Sequence, residues 1–174
     1  MPKQPQHALA TNGIESVGSI HAGKTIQSIN KKIYTFDSFE GFPIENHKIF
    51  KSEDYIGNYS KVLNVSKKYK NCQVIKGFFK DTLKDKTLNN DIKKISVAFI
   101  DCDLAISSKD IFEFIKPKLN FGSFIIIDDF FNVDYNNQSI KQEFYKYFDI
   151  SQFEITRYFG LQGVVIRYFG NSDS

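Results

Sequence analysis

Apolar residues along this chain fall into short runs separated by polar, helix-spaced stretches. KIYTF (Lys32 to Phe36), NCQVIKGFF (Asn71 to Phe79), Val97–Ile100 and Phe124–Ile127 read as strands rich in β-branched and aromatic residues. Ile14 to Ile20 is a weaker strand candidate, followed by a short helix over Lys24 to Lys32. Asp54 to Tyr69 places Tyr55, Tyr59, Val62, Leu63 and Val65 at helical spacing. Asp81 to Asp91 is polar, a loop or a short helix. Asp110 to Leu119 reads as a helix ended by Pro117 and Gly122, and Ser139 to Phe148 as another. FEITRYF (Phe153 to Phe159) and GVVIRYF (Gly163 to Phe169) are separated by only Gly160, Leu161 and Gln162, which demands an antiparallel hairpin.

Alternating strands and helices specify an α/β fold, with helices on both faces of a mostly parallel sheet. A mostly parallel sheet closed by an antiparallel hairpin resembles the Rossmann-like class I methyltransferase architecture. Met1 to Gly13, polar with two prolines, reads as a flexible N-terminal arm. Residues 14–174 read as a single domain.

Two apolar runs end in acid: Asp101 and Asp103 after the first, Asp128 and Asp129 after the second. A strand–helix–strand unit is right-handed with parallel strands, so both acidic ends lie on one rim of the sheet. Four carboxylates at one rim repel one another unless a cation sits among them, and oxygen donors suit a divalent ion. The competing reading is helix capping by Asp103 and Asp129 with surface acids beside them.

Three further segments carry chemistry. Asp37 follows the second strand of the domain, where doubly wound sheets set an acid against ribose hydroxyls; the alternative is a turn cap. GSIHAGKT (Gly18 to Thr25) matches a phosphate-cradling P-loop literally, but the strand before it is short and half polar, and the rival reading is the first cofactor turn of a methyltransferase, with Glu15 nearby. KGFFKDTL (Lys76 to Leu83) offers Phe78 or Phe79 to an adenine ring, or to the core, and Asp81 as a helix cap.

Taken in order, FDSFEGFP, KGFFKDTL, FIDCDL…SSKDIFEFIKPKL and GSFIIIDDF resemble the macrocin O-methyltransferase family. That resemblance implies S-adenosylmethionine as methyl donor, held by Asp37, Ser38, Phe39, Glu40 and Gly41, by the Gly18 turn, and by Phe78 and Phe79. It implies Mg²⁺ on Asp101, Asp128 and Asp129, with Asp103 as general base. The acceptor it implies is a hydroxyl of a sugar, glycoconjugate or natural product. The sequence departs from the family at Ala105, which replaces an aromatic residue after Asp103-Leu104. A catalytically degenerate binding domain is the runner-up, and a P-loop enzyme built on Gly18–Thr25 the third reading.

Composition narrows the partners. Among 174 residues, 41% are hydrophobic and the net charge is +3, with lysines scattered, which suits a solvated surface rather than a nucleic-acid footprint. Eighteen phenylalanines and no tryptophan make Phe the main aromatic of the core. No apolar run is long enough to span a bilayer and the N-terminus lacks a signal-peptide core, so the expectation is a cytoplasmic protein with reduced Cys72 and Cys102. Whether it forms a homo-oligomer is left open.

Overall fold

The computed structural model describes residues 7–11, 32–43, 56–134 and 136–170. Strands β1 (His7–Thr11), β2 (Lys32–Asp37), β3 (Cys72–Lys76), β4 (Ile95–Ile100), β5 (Leu119–Ile127), β6 (Phe153–Phe159) and β7 (Gly163–Tyr168) form one sheet in the order β3-β2-β1-β4-β5-β7-β6. β1 to β5 are parallel; β7 runs antiparallel between β5 and β6. The helices are α1 (Tyr59–Ser66), α2 (Phe79–Thr82), α3 (Lys86–Asp91), α4 (Ala105–Ile115) and α5 (Ile140–Tyr147). No helix among the described residues is long and apolar enough to cross a membrane.

Three differences from the sequence reading matter. His7–Thr11, expected within an unstructured arm, is the central strand, paired with β2 on one side and β4 on the other. A strand laddered on both edges is held by its neighbours, so its weak intrinsic pattern does not decide its fate. The Ile14–Ile20 strand and the Lys24–Lys32 helix lie outside the described residues. α4 begins at Ala105, five residues before the expected start, because Ala105, Ser107 and Ser108 are small and buried rather than exposed loop residues. Gly122 does not end that helix. It sits at φ +84° inside β5, where the pairing skips from Ile95–Leu119 to Val97–Phe124 and the extra residues form a bulge.

Aromatic packing holds the acidic rim in place. Phe144 of α5 meets Phe112 of α4 at 5.6 Å, Phe153 of β6 at 5.3 Å and Phe130 at 5.8 Å, each ring edge to face. Phe130 directly follows Asp129 and is fully buried, and its carbonyl accepts from Lys141 N–H at 3.0 Å. The turn bearing Asp129 is therefore anchored by its next residue. α5 is fixed at its start by a capping box, Ser139 Oγ accepting from Gln142 N–H while Gln142 Oε1 accepts from Ser139 N–H. Ser139→Ala is expected to remove about 0.5–2 kcal/mol of stability, read as a lower urea midpoint with an unchanged slope.

Candidate active site

Register sets the stage. Thr11 pairs with Phe36 and Ile100, Ile100 with Ile127, and Asp37 with Lys76, so the carboxyl ends of β1 to β5 share one rim. A cavity of about 330 Å³ opens there. It is lined by Asp37, Ser38 and Gly41 after β2, Gly77, Phe78 and Phe79 after β3, and Asp101 and Cys102 after β4.

Asp37 is 3% exposed. Its Oδ1 accepts from Phe39 N–H at 2.7 Å, whereas Oδ2 is buried without a hydrogen-bond partner among the described residues. Burial pushes the carboxyl up to about 6, with the Phe39 N–H opposing. A buried carboxylate oxygen without a donor is costly, and a ligand bearing hydroxyls would relieve it. Gly77, at φ +137°, brings the backbone close to α2: a Cβ there would lie 2.8 Å from Thr82 Cγ2. Phe78 and Phe79, the residues expected at the adenine, line the cavity. Asp81 lies within α2 rather than capping it, since the N-cap is Phe78.

Two expected contacts fall elsewhere. Phe39, at φ +56°, turns its buried ring onto Tyr59 at 5.0 Å and packs with Val62. Glu40 is exposed and pairs with Lys76 at 3.2 Å. In a tight turn consecutive side chains diverge, and of the DSFEG segment Asp37, Ser38 and Gly41 line the cavity. Gly18 and the rest of Gly18–Thr25 lie outside the described residues, as does Glu15.

Beside the cavity, carboxylate oxygens of Asp101, Asp103 and Asp129 lie within 4.8 Å of one another. Asp103 arrives there through a three-residue turn at φ +56°, closed by Leu104 N–H donating to the Cys102 carbonyl. The expectation that Asp101 and Asp103 align on an extended strand end is thus replaced by a left-handed turn, which Asp tolerates better than most residues. Asp128 is not in the convergent group: it is adjacent to Asp129, and neighbouring side chains at a strand end point apart. Burial raises the Asp103 carboxyl to about 7, helped by the Asp129 charge, a side-chain hydrogen bond with Asp129, and the charges of Asp101 and Asp128. Burial and Asp129 also raise Asp128. Cys102 is buried among these acids, and both effects push its thiol well above its ordinary value, burial most. It stays a neutral S–H and is no nucleophile.

Sequence reading missed Ile106, Ser107 and Lys109, which line the cavity from the first turns of α4. The signal was the helix start: beginning α4 at Ala105 places these residues directly behind the acidic turn.

Sheet order, hairpin, buried acid after β2 and acidic rim together define a class I methyltransferase. The sequence model of macrocin-O-methyltransferase (TylF) matches residues 21–155. The chain belongs to that family and is an S-adenosylmethionine-dependent O-methyltransferase. Its fold is similar to that of the O-methyltransferase NovP (21% identity, TM-score 0.75, 95% of this chain and 73% of that one). It is also similar to the calicheamicin methyltransferase CalS11 (15%, TM-score 0.76, 97% and 74%). Aeropyrum pernix fibrillarin, natively bound to S-adenosyl-L-methionine, shares the fold at 14% identity and TM-score 0.58, over 95% of this chain and 66% of that one. A search of curated protein sequences found no match.

Proposed function

We infer that this enzyme methylates a hydroxyl of a sugar or glycoconjugate, with a divalent cation, Mg²⁺, at its acidic rim. The observation that carries this reading is the convergence of Asp101, Asp103 and Asp129 within 4.8 Å next to the cavity. Support for a sugar acceptor comes from the family, and from CalS11, described as a TDP-rhamnose 3′-O-methyltransferase.

The donor set fits a hard cation. Three carboxylates offer oxygen ligands, and Asp103 is raised first by burial and then by its acidic neighbours, whose mutual repulsion a cation would relieve. Asp101 and Asp129 would hold the ion; Asp128 contributes charge from outside the convergent group. When bound, Mg²⁺ supplies Lewis acidity that makes a sugar hydroxyl easier to deprotonate.

The chain's own residues do the rest. Asp37 Oδ2 would accept from the ribose hydroxyls of S-adenosylmethionine, and Phe78 or Phe79 would cover its adenine. The acceptor oxygen forms a bond to the methyl carbon as the carbon–sulfur bond breaks. Asp103 would take the hydroxyl proton, and the donor would leave as the neutral thioether. Dependence on S-adenosylmethionine, an intracellular metabolite, supports a cytoplasmic enzyme, and the family supports a small-molecule acceptor rather than nucleic acid.

The test is release of S-adenosylhomocysteine from S-adenosylmethionine with a panel of pyranosides and nucleotide sugars, with Mg²⁺ and with EDTA. Release that needs both acceptor and Mg²⁺ is expected. Tight product binding with no release from any acceptor would favour a degenerate binding domain instead.

A pH dependence follows from Asp37. Its raised value means that it favours the unliganded fold most below its ordinary value of 3.8, and that this contribution is lost as pH rises through about 6. Hydroxyl donors favour the anion, so product affinity should rise with pH through about 6 and level off above. Near pH 5 it should be about tenfold weaker than at neutral pH. Calorimetry of wild type against Asp37→Asn checks this: the Asp37-linked step should vanish in the variant.

A further inference from the structure

The sheet divides its rim. The cavity takes the ends of β2, β3 and β4, and the acids sit at β4 and β5. Beyond them, on the β5-β7-β6 side, the register row Ile100–Ile127–Val164–Tyr158 carries the rim outward to Tyr158 on the outermost strand. Phe131, two residues after Asp129, lies against Tyr158 with ring centroids 6.1 Å apart and planes tilted by 30°. Both are exposed, Phe131 by 38% and Tyr158 by 62%. Lys141 Nζ stands 5.2 Å from the Phe131 ring centroid and 5.9 Å from that of Tyr145, also exposed.

We propose that Phe131 and Tyr158 form the platform on which the methyl acceptor lies, stacking a flat apolar face against it. This rests on the methyltransferase reading. The reacting oxygen has to lie between the donor methyl and the acids, so a donor filling the β2–β4 half leaves the acceptor the β5–β6 half. Two exposed aromatic rings side by side with a 30° tilt, one anchored through its buried neighbour Phe130, present the kind of surface that takes the C–H face of a pyranose or an aromatic aglycone. Lys141, lying over Phe131, places an ammonium donor beside that surface for the acceptor's oxygens.

The test is saturation-transfer NMR on protein loaded with S-adenosylhomocysteine and Mg²⁺, using methyl α-D-glucopyranoside and p-nitrophenyl α-D-glucopyranoside as probes. Product affinity is measured by calorimetry on the same samples. Saturation at the sugar C–H face of both probes identifies a sugar platform; saturation confined to the aryl protons identifies an aglycone platform. Either supports the proposal if Tyr158→Ala weakens probe binding about three- to tenfold and Tyr158→Phe restores it, with product affinity unchanged. Probe binding indifferent to both Tyr158→Ala and Phe131→Ala, or absent from the wild type, overturns it. So does a dimer that Tyr158→Ala splits without changing probe binding, which would make the surface a contact between copies. Failure of the wild type to bind S-adenosylhomocysteine would instead overturn the methyltransferase reading itself, and this proposal with it.

Discussion

Asp103→Asn should lower the turnover number about 10²- to 10⁴-fold, the usual contribution of a general base, while leaving S-adenosylhomocysteine affinity within about twofold. Asp103 is the carboxylate turned back by the left-handed turn into hydrogen-bonding reach of Asp129. Asn keeps the shape and a hydrogen-bond donor but cannot take a proton. Stability provides the control. Burial and three neighbouring acids hold the Asp103 carboxyl up at about 7, so in metal-free buffer its ionised form costs the fold stability, and the cost grows as pH rises through 7. Asn removes that cost. The variant should melt at the same temperature as wild type or higher above pH 7, and still fail to turn over. A variant that keeps near-normal turnover would move the base elsewhere. One that loses turnover by unfolding would leave the melting curve as the explanation.

Asp37→Ala should weaken S-adenosylhomocysteine binding about 10- to 100-fold, the loss expected when a charged acceptor of one or two ligand hydroxyls is removed. Two contributions are mixed in that variant. Ala also deprives Phe39 N–H of its acceptor at 2.7 Å, and so loosens the turn that sends Phe39 to φ +56°. Asp37→Asn separates them, because the amide oxygen still accepts from Phe39 N–H while the charge is gone. A loss shared by both variants belongs to the ligand contact; a loss confined to Ala belongs to the turn.

These residues differ in how far the chain announced them. The acids stood out because each follows a β-branched apolar run, and parallel topology brings the two run ends together whatever the loop details. Their partition did not: adjacency separates Asp128 from Asp129, and a turn rather than a strand delivers Asp103. Asp37 was legible from its place after a strand, and its unpartnered oxygen was not, since burial is a property of the whole fold. The first strand was hidden because His7–Thr11 takes its stability from two neighbouring ladders. The first turns of α4 were hidden because small buried residues read like a loop. Phe131 and Tyr158 were unreadable as a pair: they lie far apart in sequence, and only the antiparallel β7 between β5 and β6 carries Tyr158 to the acidic rim.

Calorimetric titration of S-adenosylhomocysteine into the wild-type protein, beside Asp37→Asn, is the most direct single measurement. A methyltransferase with its cofactor cavity between the ends of β2, β3 and β4 should give saturable one-to-one binding well below millimolar, weakened in the variant. No binding by the wild type up to millimolar product, or binding of equal strength in both proteins, would contradict it.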